Sequence, residues 1–219
     1  MNEKMKAQIA AMKEQTIGVE VEMNSITSRS AAKVAAEFFD TGRCEDTAYR
    51  NGYRTWSAWD TQGREWKFQR DSSIYGPDDE KCEMVTPILT YADMDTLQEL
   101  VRRLRKAGAK SDATRGCGVH IHIGAKGHTP QSLRNLANIM ASHESLLVDA
   151  LSIDRSRIND YCAMVSPRFI REINDRKPST MSDLADIWYT ANYASSGRNE
   201  HYNDSRYHML NLHATFTKG

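Results

Sequence analysis

Two short stretches carry side chains at spacings that could do chemistry. "TIGVEVEM" (16–23) sets Glu20 and Glu22 two residues apart, and "CGVHIHIG" (117–124) does the same with His120 and His122. In an extended strand alternate side chains share a face, so Gly18, Glu20, Glu22 and Asn24 line up opposite Ile17, Val19, Val21 and Met23. The second stretch repeats the design, with Val119, Ile121 and Ile123 on one side and Gly118, His120, His122 and Gly124 on the other. Same-side neighbours stand roughly 7 Å apart, a spacing that serves two adjacent metal ions, or one ion and its substrate. Glu83 in "KCEMVTPI" (81–88) extends the set. So does Asn211, which shares a face with Met209 and His213 in "YHMLNLHATF" (207–216).

The same alternation also describes a solvated sheet face or ordinary hydrogen-bonded packing, and spacing alone leaves both readings open. Glycines beside each pair favour a ligand, because they clear space above it. For a metal, three carboxylates against two imidazoles suit Mg²⁺ or Mn²⁺ better than Zn²⁺, and magnesium usually arrives with a phosphate. No GxxxxGK[ST] loop is present, so phosphates would rest on metal ions and on arginines, with Arg70, Arg198 and Arg206 as candidates. Two other readings differ in class: a hydrolase with zinc on His120, His122 and a glutamate, or a non-catalytic nucleotide-binding module.

The elements that must position these residues are readable from periodicity. Strands are expected at 16–23, 64–72, 81–88, 117–124 and 207–216, with another in "NGYRTWSAW" (51–59). "SRSAAKVAAEFF" reads as a helix after a serine cap. "ADMDTLQELVRRLRKAG" repeats Leu97, Leu100, Val101 and Leu104 at helical spacing, opens on Asp93 and Asp95, and stops at Gly108. "TPQSLRNLANIMASHESLLVDAL" starts at Thr129 and Pro130, with Leu133, Leu136, Ile139, Met140, Leu146 and Leu147 read as its core stripe. Shorter helices follow Ser166–Pro167 and Ser179–Thr180. Together they predict an α+β fold, a mostly antiparallel sheet with helices on one face and the other face open. The polar run from Ala194 to Arg206 reads as a long loop of the kind that acts as a lid.

Composition narrows the function classes. Lys+Arg and Asp+Glu are both 29 in 219 residues, so no net charge draws the chain to nucleic acid or to an anionic membrane. No stretch is long and apolar enough for a membrane span, and the start "MNEKMKAQIAAMKEQ" lacks a signal peptide's apolar core, which favours the cytoplasm. Cys44, Cys82, Cys117 and Cys162 form no CxxC pair and are expected as reduced thiols. Trp56, Trp59 and Trp66 among Arg50, Arg54 and Arg70 are read as sheet packing rather than a base-stacking surface. Asp71 and Ser72 fit a turn and a substrate-side lining equally.

Taken in order, "GVEVEM", "REWKFQRDSSI", "EMVTPI", "LVRRLRKAGA", "CGVHIHIG" and "RYHMLNLHATFTKG" resemble the amidoligase enzymes, carboxylate–amine ligases related to glutamine synthetase and glutamate–cysteine ligase. The resemblance covers residues 16–219 and leaves 1–15 as an N-terminal extension. It implies a glutamine synthetase-like fold, with a curved antiparallel sheet, helices on one face and the active site on the other. It also implies Mg²⁺ (or Mn²⁺) and ATP as cofactors, and small-molecule or peptide carboxylates and amines as substrates. ATP phosphorylates the carboxylate, and an amine displaces the phosphate to give an amide or isopeptide. On this resemblance Glu20, Glu22, Glu83 and His120 bind metal, and His122 lies near the nucleotide or substrate. Arg206 and Asn211 approach the phosphates or the acyl group, and Glu83 and Arg206 act at the reacting centre. The family pattern continues past "NLHATFTKG" into a strand of the form Thr-(Ile/Val)-Glu-Phe-Arg, which would complete the nucleotide-side metal and meet the transferred phosphate. The sequence ends at Gly219, before that strand, so the expectation for this chain is nucleotide binding with poor turnover.

Overall fold

The structure is a computed structural model that describes residues 1–52, 54–200 and 202–218. It forms two compact units, Met1–Gly124 and Ala125–Gly219, each with its own core.

In the first unit the chain runs α1 (Glu3–Lys13), β1 (Ile17–Met23), α2 (Ser28–Phe38), β2 (Cys44–Asp46), α3 (Ala48–Asn51) and β3 (Trp56–Trp59). It continues as β4 (Glu65–Gln69), β5 (Cys82–Val85), α4 (Met94–Lys106) and β6 (Val119–Ile123). The strands make one antiparallel six-stranded sheet in the order β2-β3-β4-β5-β1-β6. The α+β reading and the alternating strands are borne out, although β4 and β5 are shorter than the runs that announced them. Tyr53, inside the stretch expected to hold a strand, lies outside the described residues. α1 is helical with no buried residue.

One sheet face is the core. Val19, Val21 and Met23 of β1, Trp66 and Phe68 of β4, and Met84 of β5 are buried there. α2 lays Ala31, Ala32, Ala35 and Ala36 on β2 to β5, small side chains that let a helix approach a sheet closely. α4 adds Leu97, Leu100 and Leu104, each worth about 2 kcal/mol of apolar burial. The cap of α2 is Thr27, whose Oγ1 accepts from the Ser30 N–H at 3.1 Å; Ser28, expected as part of a serine cap, is already helical. α4 ends as expected, with Gly108 at φ 109°. Val119, Ile121 and Ile123 point to the core side by register, yet they are 54%, 66% and 51% exposed. They sit on the edge strand, beyond the strands that α2 covers.

In the second unit, α5 (Pro130–Ala150), α6 (Arg155–Asp160), α7 (Pro167–Arg176), α8 (Met181–Ala191) and α9 (His213–Lys218) follow one another. Thr129, Ser166 and Thr180 cap α5, α7 and α8 with side-chain oxygens. The stripe read on α5 is only half right. Leu133 is buried, and Leu136 and Met140 pack against the core. Ile139 and Leu146 are 58% and 63% exposed, because they stand roughly 120–140° around the helix from Leu133. Buried Glu144 anchors α5 by accepting from the Val165 N–H at 3.0 and 2.9 Å.

The strand expected over 207–216 is absent. His208 makes a single bridge to Ala163, and the chain then enters α9. Asn211 Oδ1 accepts from the His213 N–H at 2.9 Å, a local bond that starts a helix instead of extending a strand. His213 is buried between the Tyr189 hydroxyl and the Glu200 carbonyl, at 2.8 and 2.9 Å. Asn211 therefore shares no strand face with Met209 and His213. The run from Ala194 to Arg206 is a loop of turns ending in a 3₁₀ turn at Asp204–Arg206, with His201 outside the described residues. Asn203 pins it by donating to the carbonyls of Ala194 and Ser196. The four cysteines are free thiols, and no helix among the described residues is long and apolar enough to cross a membrane.

Candidate functional site

The open face of the sheet gathers the expected ligands of the first unit, because register sets them side by side. Glu20 of β1 lies opposite His120 of β6, and Gly18 opposite His122. On the other edge of β1, Glu22 lies opposite Glu83 of β5, and Glu83 lies opposite Gln69 of β4. Alternation within a strand chose the face, and pairing between strands made the cluster.

Hydrogen bonds hold these groups in place. The Glu20 carboxylate sits between two imidazoles, 3.0 Å from His120 Nδ1 and 3.3 Å from His122 Nε2. Those bonds hold its carboxyl well below the usual range and, for His120, raise the imidazole's affinity for a proton; Glu22 and Glu83 add to the second effect. Glu22 is buried and accepts from the Gly118 N–H at 2.6 Å. Gln69 Nε2 donates to Glu83 at 2.7 Å. Burial, reinforced by the charges of Glu20, Asp71 and Glu22 and opposed by the Gln69 bond, pushes Glu83 up to about 7. Carboxylates this crowded repel one another unless protons or a cation neutralise them.

Two sets of three donor atoms, each set within 4.8 Å of one another, could each hold an ion: Glu20, Glu83 and His120, and Glu22, Asp71 and Glu83. The donors are four carboxylates and one imidazole, with Glu83 common to both sets. That oxygen-rich mixture fits a hard divalent cation and not zinc, and His122 belongs to neither set. His122 instead orients Glu20. The role of Gly124 differs from the expected one: a Cβ there would meet Thr16 Oγ1 at 2.1 Å, so its bareness accommodates Thr16 rather than a ligand. Gly18 has ordinary room, with His122 Cβ at 3.6 Å.

Asp71 is the candidate donor that sequence reasoning left undecided. Its Oδ1 accepts from the Ser73 N–H at 2.7 Å, so it forms a turn and also presents a carboxylate to Glu22 and Glu83. Gln69 was missed, although the alternation of "WKFQ" puts it opposite buried Trp66 and Phe68. Arg70, a candidate phosphate ligand, is bound by Asp78 at 2.7 and 2.5 Å. Arg198 pairs with Asp186 in the second unit. Arg206 and Asn211 are also described within the second unit, Arg206 lying 5.1 Å from the Tyr202 ring centroid and 5.7 Å from that of Tyr207. The tryptophans pack as expected: Trp66 is fully buried, and Trp59 is covered by the Arg43 guanidinium at 3.8 Å.

A family model described as "Putative amidoligase enzyme" matches residues 13–219. No curated protein and no solved structure matches the chain.

Proposed function

The chain belongs to the amidoligase family, and from that premise we propose that it is an ATP- and Mg²⁺-dependent carboxylate–amine ligase working on a glutamine synthetase-like sheet. The observation that carries this reading is the pair of three-donor clusters joined at Glu83, a set suited to two hard cations side by side. Glu20, Glu83 and His120 would hold one Mg²⁺ (or Mn²⁺), and Glu22, Asp71 and Glu83 the other. When bound, the ions supply positive charge to the phosphates of ATP.

The remaining work falls to this chain's side chains. His122 fixes the Glu20 carboxylate, Gln69 fixes Glu83, and the Gly118 N–H fixes Glu22, so the donors are set before a cation arrives. In the reaction the terminal phosphoryl group of ATP passes to the substrate carboxylate and ADP leaves. The amine nitrogen then bonds to the acyl carbon, phosphate departs, and the amine's proton goes to solvent. Arg206 and Asn211 are assigned to the phosphate or acyl group through the family pattern; Arg70 is assigned to the nucleotide only as an arginine beside the sheet in a chain with no GxxxxGK[ST] loop.

An ADP-release assay tests the reading, run on a panel of amino acids and peptides as carboxylate and amine donors, with products weighed by mass spectrometry. The expected result is Mg²⁺-dependent ADP release accompanied by a product one water lighter than the two substrates. ADP release with no such product for any pair, or amide hydrolysis by a zinc-loaded protein without ATP, would overturn it.

A further inference from the structure

At the turn from α5 to α6 the second unit holds a cavity of about 400 Å³, a size in the range of small-molecule sites. Its walls come from three short segments: Val148 and Asp149 on the last turn of α5, Arg155, Ile158 and Asn159 on α6, and Met164. Hydrogen bonds fix each wall. The Ile153 N–H donates to the Val148 carbonyl at 3.0 Å and the Ser152 N–H to the Asp149 carbonyl at 3.2 Å, which closes the turn. Ser152 takes the left-handed conformation there, at φ 51°, a backbone that disfavours every residue but glycine. Asp154 then caps α6 by accepting from the Ser156 N–H at 2.9 Å. Met164 is held beside α5 because the next residue, Val165, gives its N–H to buried Glu144.

Opposite charges line this cavity without meeting. Asp149 and Arg155 both border it, and neither side chain makes an ion pair or a hydrogen bond among the described residues; nor does that of Asn159. Elsewhere in the unit exposed opposite charges close on one another, as Arg176 does with Glu172 and Arg198 with Asp186. Here the locked turn keeps them on separate walls, one on α5 and one on α6. Half-buried Val148 and Ile158, with the Met164 thioether, supply an apolar lining. A guanidinium grips a carboxylate at two points, a carboxylate holds an ammonium, and an apolar lining takes a hydrocarbon side chain.

We propose that this cavity is a binding site for a free α-amino acid with an aliphatic or thioether side chain. Its carboxylate rests on Arg155 and Asn159, its ammonium on Asp149, and its side chain against Val148, Ile158 and Met164. The ligand is a zwitterion, because a simple anion would leave Asp149 unpaired and a simple cation would leave Arg155 so. The amino acid is held there and not activated, since none of these residues belongs to either donor cluster of the sheet. The site stands independently of the ligase reading.

Saturation-transfer NMR on the full chain in chelator tests it, with L-leucine and L-methionine as probes. Three relatives of leucine each lack one feature: 4-methylpentanoate the ammonium, 3-methylbutylamine the carboxylate, and glycine the side chain. The expected result is saturable binding of leucine or methionine, with each relative weaker by about tenfold or more. Asp149→Asn and Arg155→Gln should each weaken the amino acid by about tenfold or more, while Arg155→Lys keeps it within about threefold. Both side chains are exposed, so the variants should fold, and circular dichroism checks that they do. No saturable binding of either amino acid, undiminished affinity in Asp149→Asn or Arg155→Gln, or a relative that binds as tightly overturns the proposal. So does binding that appears only with Mg²⁺, which would place the amino acid at the cation cluster instead.

Discussion

The two halves of the open sheet face treat charge in opposite ways. Around β2, β3 and β4 several charges are neutralised locally: Arg43 meets Glu45, Arg50 and Asn51 meet Glu65, and Arg64, in the turn between β3 and β4, bridges Asp60 and Asp93. On β5 and β1 the carboxylates of Glu20, Glu22 and Glu83 crowd together, joined by Asp71 from the turn after β4, and they meet the His120 and His122 imidazoles, the Gln69 amide and the Gly118 N–H. Neutralised charge holds a fold together. Crowded like charge costs stability, and its retention on three neighbouring strands is what a cation-binding surface requires.

The contrast can be broken from the neutralised side, where the largest effect on stability is expected. Asp60 is buried and accepts from Trp66 Nε1, from Arg64 Nε and from two backbone N–H groups. Asp60→Ala should cost about 3 kcal/mol, since it leaves Arg64 and the indole without their shared partner. Chemical denaturation measures that loss, and Mn²⁺ affinity of the folded protein should stay unchanged. On the crowded side the signs reverse. Glu20→Ala should lower Mn²⁺ affinity about 100-fold, read by electron paramagnetic resonance, with little change in melting of the metal-free protein.

Glu83 sharpens the comparison further. Its folded value of about 7 lies above the ordinary 4.5, so the folded state holds the proton more tightly than the unfolded one. The stability from the neutral carboxyl is complete at low pH and drains away as pH rises through about 7. In chelator at pH 8, Glu83→Gln should therefore be more stable than the wild type by about 2 kcal/mol, and at pH 5 the two should melt alike. His120 gives a smaller effect. Its raised proton affinity adds to that of Glu83, so protons compete with the cation at both groups; Mn²⁺ affinity should climb with pH, and His120→Gln should make the climb shallower without abolishing it. Smallest of all, Arg43→Ala at the exposed end of the neutralised half should cost about 0.5 kcal/mol.

Much of this face was legible because alternation is a local signal. "GVEVEM" and "VHIHI" declare an apolar and a polar side without knowledge of their neighbours. Which strands adjoin is not local. That Glu83 pairs with Glu22 and Glu20 with His120 depends on a register the sequence does not print, and Asp71 joins the donor cluster only through it. The misread segment shows the converse. "YHMLNLHATF" alternates as a strand should, but Asn211 starts a helix and His213 is drawn inward by Tyr189 and the Glu200 carbonyl, partners far away in sequence. β2 and α6 are too short to leave a periodic trace. On α5 too wide an apolar stripe took in Ile139 and Leu146, which stand roughly 120–140° around the helix from Leu133 and are exposed.

The central claim is that the crowded half of the sheet holds divalent cations that carry a nucleotide. Calorimetric titration of ATP into the full chain, with Mg²⁺ and then in chelator, tests it most directly, alongside a Glu20→Ala/His120→Ala variant shown by circular dichroism to be folded. The account predicts saturable binding with Mg²⁺ only, at micromolar to millimolar Kd, and its loss in the variant. Equal binding with and without Mg²⁺, no binding at all, or undiminished binding by the folded variant would contradict it.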